Sequence, residues 1–215
     1  MSARPDLPDR PATYAGKVRT VDAGPDTFGR ALEQVRRAQI RPEFDLDEAP
    51  APARLAPSAL ALVAESAPDM DLGASGRFVL LHDPDGVDEW QGEFRCVIFV
   101  RMNMDPEVGG DPLVHQVAWS WLVDALTATP TVPGSLGGTV TCLTGTSFGS
   151  LADRPTDTIV EVRASWTPAA TPDLPAEGAM ATHVEAWGEL LALGAGLPPV
   201  IPGVADVAAR RRQRQ

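Results

Sequence analysis

The stretch "MDPEVGGDP" (104–112) crowds Asp105, Glu107 and Asp111 around two glycines, with His115 shortly after. Carboxylate oxygens at such spacing suit a hard divalent cation, and an adjacent imidazole suits a softer one. Aligned as a calcium loop, Asp105 takes position 1, Glu107 position 3, Gly110 position 6 and Asp111 position 7. Position 5 is then Gly109, and position 12, which needs a bidentate Glu, is Gln116. Two of the required oxygens are missing. A turn explains more of the residues. Asp105-Pro106 leaves a strand, Gly109-Gly110 reverses the chain, and Asp111 caps a helix whose first position holds Pro112. The reading that keeps chemistry here is a metal or small-molecule pocket near the helix start, with Asp105, Glu107, Asp111 and His115 as its polar groups.

Other constellations are thinner. "GTSFG" (145–149) puts Ser147 in the nucleophile place of G-x-S-x-G, but that motif needs a strand-to-helix elbow, and here a strand follows. His82, His115 and His183 could together bind zinc, yet nothing local pairs them. No catalytic residue, metal ligand or cofactor is assigned. Two strand-like runs carry mixed charges on one phase: Glu93, Arg95 and Arg101 on the first, Glu161 and Arg163 on the second. Cross-strand pairing explains them structurally. As a binding surface they point to Arg95, Arg101, Glu161 and Arg163.

The elements that would position these residues follow from periodicity. "DTFGRALEQVRRAQI" has helical spacing through Phe28, Leu32 and Val35. "PEFDLDEAPAPARLAP" reads as an extended linker, and "SALALVAESA" as a second short helix capped by Ser58. "RFVLLH" and "EFRCVIFVRMN" are strands joined by a turn at Asp83-Pro84-Asp85-Gly86. In the second strand Phe94, Cys96, Ile98, Val100 and Met102 share one face, which predicts an antiparallel sheet with one buried side. "DPLVHQVAWSWLVDALT" is a helix whose only polar stripe is Gln116, Ser120 and Asp124, so cover over most of its circumference is expected. Strands "TVTCLTG" and "DTIVEVRASW" precede a last helix with Met180, Val184, Trp187 and Leu191 on its apolar side. The expectation is an α+β domain over 26–204, built as ββα-ββα behind N-terminal helices. Residues 1–25 are expected to be a flexible lead-in and 205–215 an Arg-rich flexible tail. His115-x-x-x-Trp119 and His183-x-x-x-Trp187 suggest a weak internal duplication.

The 215 residues carry a net charge of −11, with +3 over 28–41 and +4 over 208–215, leaving −18 elsewhere. Such a body repels nucleic acid and anionic membranes. An RNA-associated adaptor would have to use Arg36, Arg37, Arg41 and the Arg210 to Arg214 tail. Cys96 and Cys142 fall on inward strand phases and read as core thiols in a reducing cytoplasm. No apolar run approaches the ~20 residues that span a bilayer.

The phrases "EFRCVIFVRMNMDPEVGGDPLVHQVAWSWL", "GGTVTCLTGTSFGSL" and "HVEAWGELLALGAGLPPVIPGV" resemble an actinobacterial family of unknown function, domain of unknown function 3000. The resemblance implies a cytoplasmic bacterial protein and brings no activity, cofactor or site residue with it. The expected order α-ββ-α-ββ-α is similar to that of type III secretion chaperones and YbjN-like proteins, small acidic proteins without enzymatic activity. The leading expectation is therefore a non-catalytic cytoplasmic protein-interaction module, with a protein partner or a second copy of itself. The alternatives are a metal- or small-molecule-binding protein using residues 105–115, and the RNA-associated adaptor.

Overall fold

The computed structural model describes residues 26–198, except 53, 68–69, 71, 130–132 and 171–174. The expected lead-in and the Arg-rich tail lie outside the described residues. Helix α1 (Thr27–Val35) is followed by four strands: β1 (Phe44–Ala49), β2 (Ser58–Ser66), β3 (Ala74–Val87) and β4 (Gly92–Met104). Then come short helix α2 (Pro106–Gly109), helix α3 (Val114–Thr127), strands β5 (Gly134–Gly145) and β6 (Asp157–Thr167), and helix α4 (Met180–Gly194) after a 3-10 turn (Ala176–Ala179). The strands form one antiparallel sheet in the order β1-β2-β3-β4-β6-β5.

The expected α+β class and the ββα-ββα core are present. Two N-terminal expectations are not. "SALALVAES" is strand β2 rather than a helix, and the expected linker contains β1. Ala, Leu and Glu favour helix locally, but sheet pairing overrides a weak intrinsic preference. In register with β3, Leu60, Leu62 and Ala64 point to the core, while Ala61 is also covered on the opposite side. A segment apolar on both phases does not disclose its period. The hairpin reversal also moves. Strand β3 continues through Asp83–Gly86 as an irregular bulge, with Gly86 at φ 73°, and the chain turns at 88–91.

Alternation builds the core. Rows of inward side chains cross the sheet, such as Leu62–Phe78–Ile98–Ala164 and Leu80–Cys96–Trp166. Helices α3 and α4 pack side by side on this face, with α1 against α4. Helix α4 is held closest. Trp187 lies 5.8 Å from Phe78 between ring centroids, and Phe78 meets Trp166 edge-on at 6.4 Å. A Cβ on Gly76 of β3 would fall 3.0 Å from both Trp187 Nε1 and Phe99 O, so the bare backbone lets the indole lie against the strand. Gly196, at φ 71°, ends the helix, with Leu197 N donating to Ala192 O.

Two histidines are structural. His183 is fully buried and accepts a hydrogen bond from Trp166 Nε1 on Nδ1 at 3.3 Å. Burial pushes its pKa down to about 4. His82 stacks on Phe28 (5.5 Å) and meets Phe94 at a tilt (4.4 Å), which ties α1 to the sheet. Burial lowers the His82 pKa as well, against the opposing pull of Glu93, Asp83, Glu177 and Asp26.

Two outcomes follow. Gly76→Ala overpacks the α4 contact and lowers unfolding free energy by about 1–3 kcal/mol, and Trp187→Ala by about 3–5 kcal/mol, read from urea denaturation midpoints. Because His183 is neutral when folded, the unfolded chain binds the extra proton between its ordinary value of 6.5 and about 4. Stability is therefore held above pH 6.5 and lost as pH falls, by roughly 2 kcal/mol at pH 5. His82 adds to the loss with the same sign. His183→Gln, which keeps an acceptor for Trp166, flattens that slope; a wild-type stability that does not change between pH 7 and 5 contradicts the assignment.

Candidate functional site

The residues around 105–115 do not converge. Asp105 is the N-cap of α2, its carboxylate accepting from Glu107 N at 2.8 Å, with Pro106 in the first turn. Asp111 caps the next turn instead of α3 itself, accepting from Leu113 N at 2.8 Å. Both acids are thus occupied by backbone donors, and Asp105 is needed for capping. Gly109 is required by proximity, because a Cβ there would collide with the Thr158 side chain. Glu107 and His115 are exposed. The cavity beside this loop is a slot of about 150 Å³ lined by Met104, Val108, Leu113, Val114, Val117 and Trp121, and Asp111 alone of the four polar candidates reaches it. It is apolar, which does not suit a cation. Among the described residues no three His, Cys, Asp or Glu are placed to hold a metal ion.

Helix α3 also departs from expectation. Only Val114, Ala118, Leu122 and Leu126 are buried, and Val117 is 42% exposed. Full burial follows one stripe, with Trp119, Trp121 and Ala125 partly covered beside it, so the helix is not enclosed nearly all round. Ser147 lies in a connector that leads through a 3-10 turn into β6, so no nucleophile elbow forms. His115 is exposed where His183 is buried, so the repeated phrase does not place the two rings alike. Arg41 is held by Glu43 at 3.3 Å and donates to Pro198 O at 2.7 Å, while Arg36 and Arg37 are exposed just past α1. Cys96 and Cys142 are free thiols on different strands, Cys142 donating weakly to Gly109 O.

The outward sheet face does bring its residues together. Register sets Arg77, Phe99 and Arg163 in one cross-strand row, and Ser75, Arg101 and Glu161 in the next. Arg95 lies on the same face, opposite Leu81. Across the central strands β3, β4 and β6 this face holds four arginines with Glu161 among them, and Glu93 and Asp157 on the same phase at the strand ends, inside a chain of net charge −11. Acids mark its border: Glu65 of β2 pairs with Ser75, and Asp45 of β1 with Glu65.

Each arginine has a different state. Arg163 pairs with Glu161 at 3.0 Å and lies 5.1 Å over the Phe99 ring. Arg77 reaches the Pro50 carbonyl. Arg101 is exposed, and its side chain makes no hydrogen bond or ion pair among the described residues. Arg95 is partly buried and donates to Ser165 Oγ at 2.7 Å and Thr167 Oγ1 at 3.0 Å, both neutral. Burial pulls its pKa below the ordinary value. Guanidinium stays charged in proteins, so this is a half-buried cation without a carboxylate partner among the described residues. Arg77 was not singled out from sequence, although its phase, two residues before outward Val79, places it on this face.

The fold and surface define a class: an α+β protein whose antiparallel sheet is packed by helices on one side and arginine-lined on the other, where Ala61 and Leu81 are already covered. The chain belongs to the family described as Protein of unknown function (DUF3000), whose model matches residues 24–205. Neither a curated protein nor a solved structure matches it. No helix among the described residues is long and apolar enough to cross a membrane.

Because Asp105 caps a helix, Asp105→Ala lowers unfolding free energy by about 1 kcal/mol. Added calcium or magnesium leaves the melting temperature of both proteins unchanged; a cation-dependent rise in the wild type, lost in the variant, would restore the metal reading.

Proposed function

We propose that this protein is a non-catalytic, cytoplasmic interaction module whose arginine-lined sheet face receives an acidic, extended segment of another protein. The observation that carries the reading is Arg95: a half-buried guanidinium held only by hydroxyls, with exposed Arg101 on the same strand face. An ionised group that is partly desolvated and lacks a counter-ion favours an incoming carboxylate, and an Arg fork binds a carboxylate bidentately. Val79, Val97 and Phe99 lie between the arginines and are half-buried, leaving apolar surface for the partner's side chains. The free thiols Cys96 and Cys142 agree with a reducing compartment.

An acidic peptide fits this face better than RNA. Phe99 is already stacked by Arg163, so it offers no free ring for a base, and the acidic whole opposes a polyanion at long range. A peptide carrying a few carboxylates meets less of that field.

Fluorescence anisotropy with labelled acidic, neutral and basic peptides and a single-stranded RNA tests the reading. The acidic peptide binds preferentially, and Arg95→Gln and Arg101→Glu each weaken it by about tenfold or more, as does high salt. Equal binding of acidic and basic peptides would end the proposal. RNA binding tighter than peptide binding would transfer the surface to the adaptor reading.

A further inference from the structure

The two borders of the sheet are built differently. Strand β1, at one edge, reads FDLDEA and presents Asp45, Asp47 and Glu48. Charges on an edge strand repel a second strand and are a common protection against edge pairing. Strand β5, at the other edge, reads GSLGGTVTCLTG over twelve residues and has no charged residue and no proline. It pairs with β6 on one side, and among the described residues nothing pairs with the other. Its pairing is regular from Gly137 to Gly145, after an irregularity at Gly134–Gly137. From Gly137 to Gly145 the edge thus has, among the described residues, unpaired backbone groups and neither charge, proline nor bulge to protect them. Apolar side chains are exposed on it and after it: Leu143 on the strand, and Phe148, 80% exposed, in the connector that follows.

We infer that β5 pairs antiparallel with β5 of a second copy about a two-fold axis at Val140, joining two six-stranded sheets into one. Charge selects this occupant. Two copies of a chain of net charge −11 repel, and β5 is an edge on which they meet neutral against neutral, whereas β1 would set acids beside acids. Size selects the register. About Val140 the two-fold places Gly137 opposite Leu143 and Gly138 opposite Cys142, so each larger side chain faces a glycine. Thr139 falls opposite Thr141, a favourable cross-strand pair. On the core side Val140 and Cys142 are only partly covered within one chain. A two-fold contact of this kind is self-complementary and closed.

The inference does not rest on the acidic-segment reading. The dimer would bring two arginine-lined faces into one continuous surface, but each binds without the other.

Light scattering on the eluting full-length chain tests it, together with amide hydrogen exchange at several concentrations. The wild type has the mass of two chains, and β5 amides become more protected as concentration rises. Thr139→Glu with Thr141→Glu, both at exposed positions, gives a single-chain mass with an unchanged far-ultraviolet circular dichroism spectrum. Val140→Cys, in a Cys142→Ser background, forms an intermolecular disulfide on mild oxidation without losing the dimeric mass. A wild type that stays monomeric, with β5 protection independent of concentration, overturns the inference and assigns the edge to the chain's own residues or to none. A dimer that survives the double glutamate substitution, or that Val140→Cys fails to cross-link, overturns it equally.

Discussion

The packing of α4 onto bare strand backbone organises the rest of the molecule. Gly76 has no side chain, so Trp187 seats against β3 while touching Phe78, and Trp166 closes the cluster by donating to buried His183. Aromatic side chains of this size dominate the burial of a core, and their fit decides which face of the sheet is dry. Once α4 and its neighbour α3 occupy that face, the alternation of strand side chains sends Arg77, Arg95, Arg101 and Arg163 to the other. The arginine-lined face is a consequence of where the tryptophans go.

Burial also explains why His82, His183 and Cys96 are poor candidates for chemistry. His183 is neutral, enclosed and committed to Trp166; His82 lies against two phenylalanines. Cys96 is fully enclosed, and burial pushes its thiol pKa up, away from the thiolate that would react. What remains accessible is charge on the sheet face, apolar surface along α3, and the neutral β5 edge.

Much of this was legible in the sequence, and the exceptions have physical causes. Alternation, strict in Val160–Trp166 and broken by Val97 and Phe99 in Phe94–Met102, disclosed the sheet, its buried side and the charged side of β4 and β6. The Met180–Leu191 spacing disclosed α4. The segment at 58–66 misled because Leu and Ala occupy both phases, and only pairing with β3 tells strand from helix. Strand β1 was hidden by the prolines around it. The crowd of acids at 105–111 suggested a ligand loop, but two carboxylates there satisfy backbone N–H groups at successive turns. Single-sequence reading cannot weigh a cap against a ligand when both need an oxygen at the same position. Strand order was also beyond reach, so the contrast between an acidic edge at β1 and a neutral edge at β5 emerges only from the assembled sheet.

The proposed recognition uses the arginine-lined sheet face. Backbone amide chemical-shift mapping, with an acidic peptide titrated into isotope-labelled protein, tests it most directly. Progressive shifts are expected at Arg77, Arg95, Phe99, Arg101 and Arg163, with α4 undisturbed. Shifts centred instead on the apolar slot at Val108, Leu113 and Val117, or no shifts at any residue, would contradict it.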